Sequence, residues 1–144
     1  MVSLSIDKPG EDVKLITRDT DYAIRALCFM AKGDRKITAV SELVKELKIP
    51  RPFLRKLLQV LNKKRLLKSY KGQSGGFELA LCADKIFLSD LIKIFQGPLK
   101  LNECLFKKRI CPAVATCALK KKIGTIEKYV FSELRSITIG DLLK

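Results

Sequence analysis

The chain has 144 residues, close to one domain, with 47% hydrophobic residues for a core and 31% charged ones. Twenty-nine Lys and Arg against fifteen Asp and Glu leave +14, which points to nucleic acid, an acidic lipid surface or an acidic protein as partner. No apolar run approaches the roughly 18 residues that span a bilayer, the opening MVSLSIDKPGED lacks the pattern of a secretory signal, and the chain has no histidine to act as a catalytic base.

These features predict a cytoplasmic protein that is not an enzyme. Residues 1–12, with Pro9-Gly10 as a turn signal, are expected to form a flexible arm. A first helix is predicted over Thr17–Ala31, where Ile24, Leu27, Cys28 and Ala31 make an apolar stripe and Asp19 and Asp21 favour the first-turn dipole. A second follows from Thr38, a plausible N-cap, with Val40, Leu43, Val44 and Leu47 on one side. Lys48-Ile49-Pro50 ends it. A third is predicted over Arg51–Lys64, with Pro52 in its first turn and Phe53, Leu54, Leu57, Leu58 and Leu61 inward.

Two helices joined by about three residues suggest a helix-turn-helix. Leu66–Tyr70 and Phe77–Leu81 then read as strands around the glycine-rich turn KGQSGG, with Phe77, Leu79 and Leu81 facing inward. The GQSGG loop lacks the lysine and following helix of a nucleotide-binding loop. A fourth helix spans Leu88–Phe95, closed by Gly97-Pro98. A long helix is expected from Ala113 or Cys117 to Ser136, and its stripe of Leu119, Ile123, Ile126, Val130 and Leu134 needs a second surface, most simply its own copy. The fold class is therefore mainly α with a small β-hairpin wing, a winged helix-turn-helix carrying a long dimerisation helix.

Charge is concentrated in one part of the chain. Between Arg51 and Gly72 stand eight basic residues and no acid. Arg51, Arg55, Lys56 and Gln59 are left on the outer side of the third helix. Arg51 and Arg55 are candidates for reading bases, since arginine bonds both acceptors of guanine and glutamine can pair with adenine. Lys56, Lys63, Lys64 and Arg65 suit phosphates, and Lys71 at the wing tip suits a minor groove. With four or five phosphate contacts per subunit, affinity would fall by about three to five decades from low to moderate salt.

The five cysteines divide into two groups. Cys28 and Cys82 read as core residues. Cys104, Cys111 and Cys117, in NECLFKKRICPAVATCAL, lie among cations that lower thiol pKa values and favour ligation. Their C-x6-C-x5-C spacing is too long for a zinc ribbon or a ferredoxin pair and does not itself identify a metal.

The order of elements resembles the Rrf2 family of bacterial winged-helix transcriptional regulators. The resemblance is carried by LITRDTDYAIRAL, by ITAVSELVKELKIPRPFLRKLLQVLNKKRLLKSYKGQSGGFELA, by LSDLIKIFQGPL, by the spaced cysteines ending in CALK and by TIGDLL. It covers about residues 13–143 and divides the chain into a DNA-binding domain (13–98), a cysteine-bearing segment (99–118) and a long dimerisation helix with a closing turn (113–144). It implies a homodimer on a pseudo-palindromic double-stranded DNA operator, and an iron–sulfur cluster on Cys104, Cys111 and Cys117.

The family's cluster-assembly regulator takes its fourth ligand from a histidine, and the matching residue here is Lys120. Its nitric-oxide-sensing repressor takes an aspartate from the partner subunit, and that residue matches Asp21, which favours [4Fe–4S] over [2Fe–2S]. Such a cluster is readily lost in air. Pro50 stands in place of the usual serine cap, and Arg55 in place of a glutamate that reads the operator, so a different operator is expected. The function implied is sequence-specific transcriptional regulation controlled by redox state, nitric oxide or iron. Alternatives are a clusterless or thiol-based repressor, with Cys111 and Cys117 pairing reversibly, and a basic RNA- or protein-binding adaptor.

Overall fold

The computed structural model describes residues 15–98 and 118–144; the arm and Cys104, Cys111 and Cys117 lie outside them. Helix α1 (Arg18–Lys32) is followed by α2 (Val40–Leu47), α3 (Arg51–Lys63), strands β1 (Leu67–Tyr70) and β2 (Gly76–Leu79), α4 (Leu88–Gln96), α5 (Ala118–Ser136) and α6 (Ile139–Leu142). α1 runs through the centre, packing on α2, α3, α4 and α6. It buries Ala23, Ala26, Leu27 and Met30 with Thr20. The expected stripe is therefore turned slightly, because small alanines let neighbouring helices approach while Ile24, Cys28 and Ala31 lie at the margin. Leu27, Leu43, Leu54, Leu58, Leu61 and Leu91 are fully enclosed, each contributing about 1.5–3 kcal/mol by burial.

The joint between α2 and α3 is tight. Lys48 adopts φ 55°, the left-handed region, and its N–H bonds the Val44 carbonyl to end α2. Pro50 then begins α3 without a side-chain cap, as expected from the missing serine. Phe53 corrects the sequence expectation. It is 36% exposed rather than inward, and its ring meets Tyr22 of α1 edge-on, with centroids 5.8 Å apart. After α3, Arg65 takes φ 64°, and the Leu66 N–H returns to the Leu61 carbonyl, which turns the chain directly into β1.

β1 and β2 pair antiparallel in the register Leu67↔Leu79, Lys68↔Glu78, Ser69↔Phe77 and Tyr70↔Gly76. Thr38 is not an N-cap, a second correction: Ala39 holds that position. Thr38 instead exchanges both backbone hydrogen bonds with Phe77, each 2.9 Å, so the approach to α2 lies along the free edge of the wing. A backbone partner on each side outweighs a single capping bond. Leu81 and Cys82 also differ from expectation. They lie beyond β2 and are exposed.

Gly76 makes this junction possible, because a Cβ there would overlap the Thr38 carbonyl. Gly76→Ala should lower stability by about 1–3 kcal/mol, as overpacking against backbone does. The urea midpoint should fall with an unchanged slope; an unchanged midpoint would show that the junction can yield.

The chain end returns to the core. Leu88 N–H bonds the Ile137 carbonyl and Ile139 N–H the Ile86 carbonyl, while a capping box between Thr138 and Asp141 starts α6. The Thr138 backbone N–H, and next its hydroxyl, hold Asp141 below its ordinary pKa. α5 is anchored mainly at this end, where Leu134 is buried and Val130 half-buried. The Phe131 ring is met by the cations of Lys93 (4.8 Å) and Arg135 (5.8 Å). Further up, Leu119 (65%), Ile126 (49%) and Tyr129 (68%) remain exposed.

Candidate nucleic-acid interface

The outward side of α3 follows from its inward side. With Leu54, Leu57, Leu58 and Leu61 buried, the 3.6-residue period leaves Arg51, Arg55, Lys56, Gln59, Lys63 and Lys64 exposed, and Arg65, Lys68 and Lys71 continue this surface onto the wing. Helices normally place carboxylates in their first turn. The first turn of α3 has none and carries Arg51 instead, leaving its positive pole to an external anion.

Arg51, Arg55 and Gln59 line one wall of a groove whose other wall is the wing, with Tyr70, Lys71 and Gln73. Gly72, at φ 103°, and the Gly75 N–H to Gly72 carbonyl bond of 3.0 Å set the turn at the tip. A groove flanked by a cationic helix and a hairpin can straddle one edge of a duplex, with the helix in a major groove and the wing beside it.

The wing also holds a feature that sequence reasoning missed. Tyr70 Oη donates to Glu78 Oε2 at 2.7 Å, and Lys36 Nζ lies 3.7 Å from Glu78 Oε1. The hydrogen bond to Glu78, above all, raises the Tyr70 pKa, so the phenol keeps its proton. The only sequence signal was the register, which makes Tyr70 and Glu78 diagonal neighbours on one face.

Asp21 lies apart from this surface, in the first turn of α1, where Arg25 Nε donates to its Oδ2 at 2.9 Å. Both side chains are well exposed, at 44% and 62%, and such a pair is weakly held. Gln96 fastens the end of α4 to the same region. Its Oε1 accepts from Thr17 N–H (2.9 Å) and Thr20 Oγ1 (2.7 Å), and its Nε2 donates to the Leu15 carbonyl (3.1 Å). Among the described residues no three His, Cys, Asp or Glu side chains gather as a metal site. Burial pushes the Cys28 thiol up in pKa, which favours the protonated, non-ligating form. No helix among the described residues is long and apolar enough to cross a membrane.

Residues 16–144 match the profile of a family described as "Rrf2: Iron-dependent Transcriptional regulator". The chain belongs to the Rrf2 family. Within it, the chain is 32% identical over 127 residues to the HTH-type transcriptional regulator NsrR of Oceanobacillus iheyensis, covering 87% of this chain and 86% of that protein. It is 31% identical over 130 residues to protein aau3 of Rhizobium meliloti, covering 90% and 84%. Its fold is similar to that of CymR, the global cysteine regulator of B. subtilis, with a TM-score of 0.69 and 25% identity over 89% of this chain and 95% of that one. As an Rrf2 protein it is a DNA-binding regulator and not an enzyme, and the helix–wing groove is where the fold concentrates positive charge.

Proposed function

We propose that this Rrf2 protein is a homodimeric, sequence-specific transcriptional regulator whose grip on its operator is set by an iron–sulfur cluster. The observation that carries the DNA reading is the unbroken cationic surface from α3 onto the wing, with no acid between Arg51 and Gly72. Arg51, Arg55 and Gln59 read bases, Lys56, Lys63, Lys64 and Arg65 hold phosphates, and Lys71 at the wing tip lies in or beside a minor groove. Two copies related by a two-fold axis meet through the exposed side of α5 and match a pseudo-palindromic operator.

Three thiolates, Cys104, Cys111 and Cys117, with the partner's Asp21 completing the set, would hold a [4Fe–4S] cluster. The donor chemistry fits: thiolates are the usual ligands of such clusters, and the chain has no histidine to serve as the fourth. When bound, the cluster supplies a centre reactive toward oxidants and nitric oxide. The chain's own part is positional. Gln96 ties the end of α4 to the first turn of α1, and among the described residues the Asp21 carboxylate is met by an exposed Arg25.

Protein purified without oxygen should be brown, with iron and sulfide at four each per subunit. Replacing any of the three cysteines by Ser should abolish that absorption, while Asp21→Ala should leave a cluster lost more readily on exposure to nitric oxide or air. A colourless protein with one tightly bound zinc would overturn the cluster reading and leave the DNA reading standing.

A further inference from the structure

The wing's Tyr70 and Glu78 make an arrangement with a definite chemical direction. Tyr70 is 41% exposed and lines the groove opposite Arg51 and Arg55. Its only proton is committed to Glu78 at 2.7 Å. A phenol whose O–H is taken can offer only oxygen lone pairs, and a carboxylate likewise has only lone pairs to offer. The Glu78 side chain is 14% exposed, with Lys36 at 3.7 Å on its other oxygen and Lys68 directly opposite in the register. Lys36 and the Tyr70 hydroxyl fix the two carboxylate oxygens, and the two lysines offset its charge beside a polyanion.

The pair is therefore ill-suited to phosphate oxygens, which also accept, and suited to a base N–H. In a minor groove the available donor is the 2-amino group of guanine; adenine and thymine show only acceptors there. We propose that Tyr70, positioned by Glu78, is a specificity-determining residue that selects a G·C pair through the guanine 2-amino group in the minor groove beside the wing. The inference rests on the reading of the wing as a DNA contact. It differs from the role of Lys71, which favours negative potential without regard to donors.

Inosine in place of guanine removes that amino group and leaves the major-groove edge intact, so it isolates the contact. A duplex is first selected by the wild-type protein from a randomised pool, and each guanine in it is then replaced by inosine in turn. Wild type should lose affinity about 2- to 10-fold at one symmetric pair of guanines, the effect of one net hydrogen bond. Tyr70→Phe should bind the guanine and inosine duplexes equally. Glu78→Ala, which frees the phenol proton to donate, should lose the G·C preference at that position.

A merely structural role for Tyr70 would weaken both duplexes alike and leave their ratio unchanged. The inference is overturned if wild type shows no inosine-sensitive guanine, or if Tyr70→Phe keeps the wild-type ratio. Failure of wild type to select any duplex would instead overturn the operator reading itself.

Discussion

On a duplex selected by the wild-type protein, Arg51→Ala and Arg55→Ala should each lose about 5- to 150-fold in affinity per half-site, the 1–3 kcal/mol that a bidentate arginine–guanine pair contributes, and the homodimer loses that pair at both half-sites. Arg51 and Arg55 stand one turn apart on the exposed side of α3, above the buried Leu54 and Leu58. Neither substitution touches the core, so thermal stability should be unchanged within the usual surface range of about 0.5 kcal/mol. Binding to random DNA should fall much less, since only one charge is lost.

Lys63→Ala or Lys64→Ala should behave differently, weakening all duplexes alike and lowering the salt slope by about one per subunit, hence about two for the dimer. Fluorescence anisotropy across a salt series separates the two classes. If Arg51→Ala and Arg55→Ala weaken selected and random duplexes equally, these arginines hold phosphates and the assignment of base readers is wrong. The two positions lie four residues apart on one helix, so the double variant is not expected to be strictly additive.

Local periodicity made most of the fold legible. The leucines of α3, four of them buried, set both its inward side and, by exclusion, its outward one. Gly97 at φ 79° and Pro98 marked the end of α4. Two of the misses depend on a partner distant in sequence, and the third on where a strand ends. Thr38 looked like a cap because capping is local, whereas its actual partner, Phe77, is on β2. Phe53 looked like core because it is apolar, but at the head of α3 it is 36% exposed and its ring meets Tyr22 edge-on. Cys82 followed a strand by pattern, yet the strand ends at Leu79.

The candidate site was half visible by the same logic. A run of like charge can be read along the chain, and so can the spacing that puts Arg51 and Arg55 on one side. The Tyr70–Glu78–Lys36 group could not, because it requires the hairpin register and the approach of the chain before α2 to the β2 edge. Asp21 was singled out by resemblance alone; its pairing with Arg25 at four-residue spacing is what an isolated helix would show in any case.

The second large effect concerns α5. Leu119→Glu with Ile126→Glu should convert the dimer to a monomer and weaken operator binding by about 10²–10⁴-fold, the range by which joined modules exceed single ones. Both side chains face away from the chain's own core, at 65% and 49% exposure, with Tyr129 beside Ile126 at 68%, while Leu134, with Val130 packed beside it, secures the far end of the helix. The core should therefore survive, with helical circular dichroism retained. At a two-fold interface each substitution acts twice and places glutamates of both copies near one another, so desolvation and like-charge repulsion add to the lost apolar contact.

The salt slope supplies an independent reading. It scales as about 0.9 per phosphate neutralised on duplex DNA, so a monomer holding half the phosphates should show half the wild-type slope on the same duplex. Sedimentation at micromolar concentration checks the assembly state, and a titration at four salt concentrations checks the slope. A variant that still sediments as a dimer would place the interface elsewhere. One that becomes monomeric yet keeps the full slope would show that a single copy already makes every phosphate contact, which a surface no larger than α3 and one hairpin makes physically improbable.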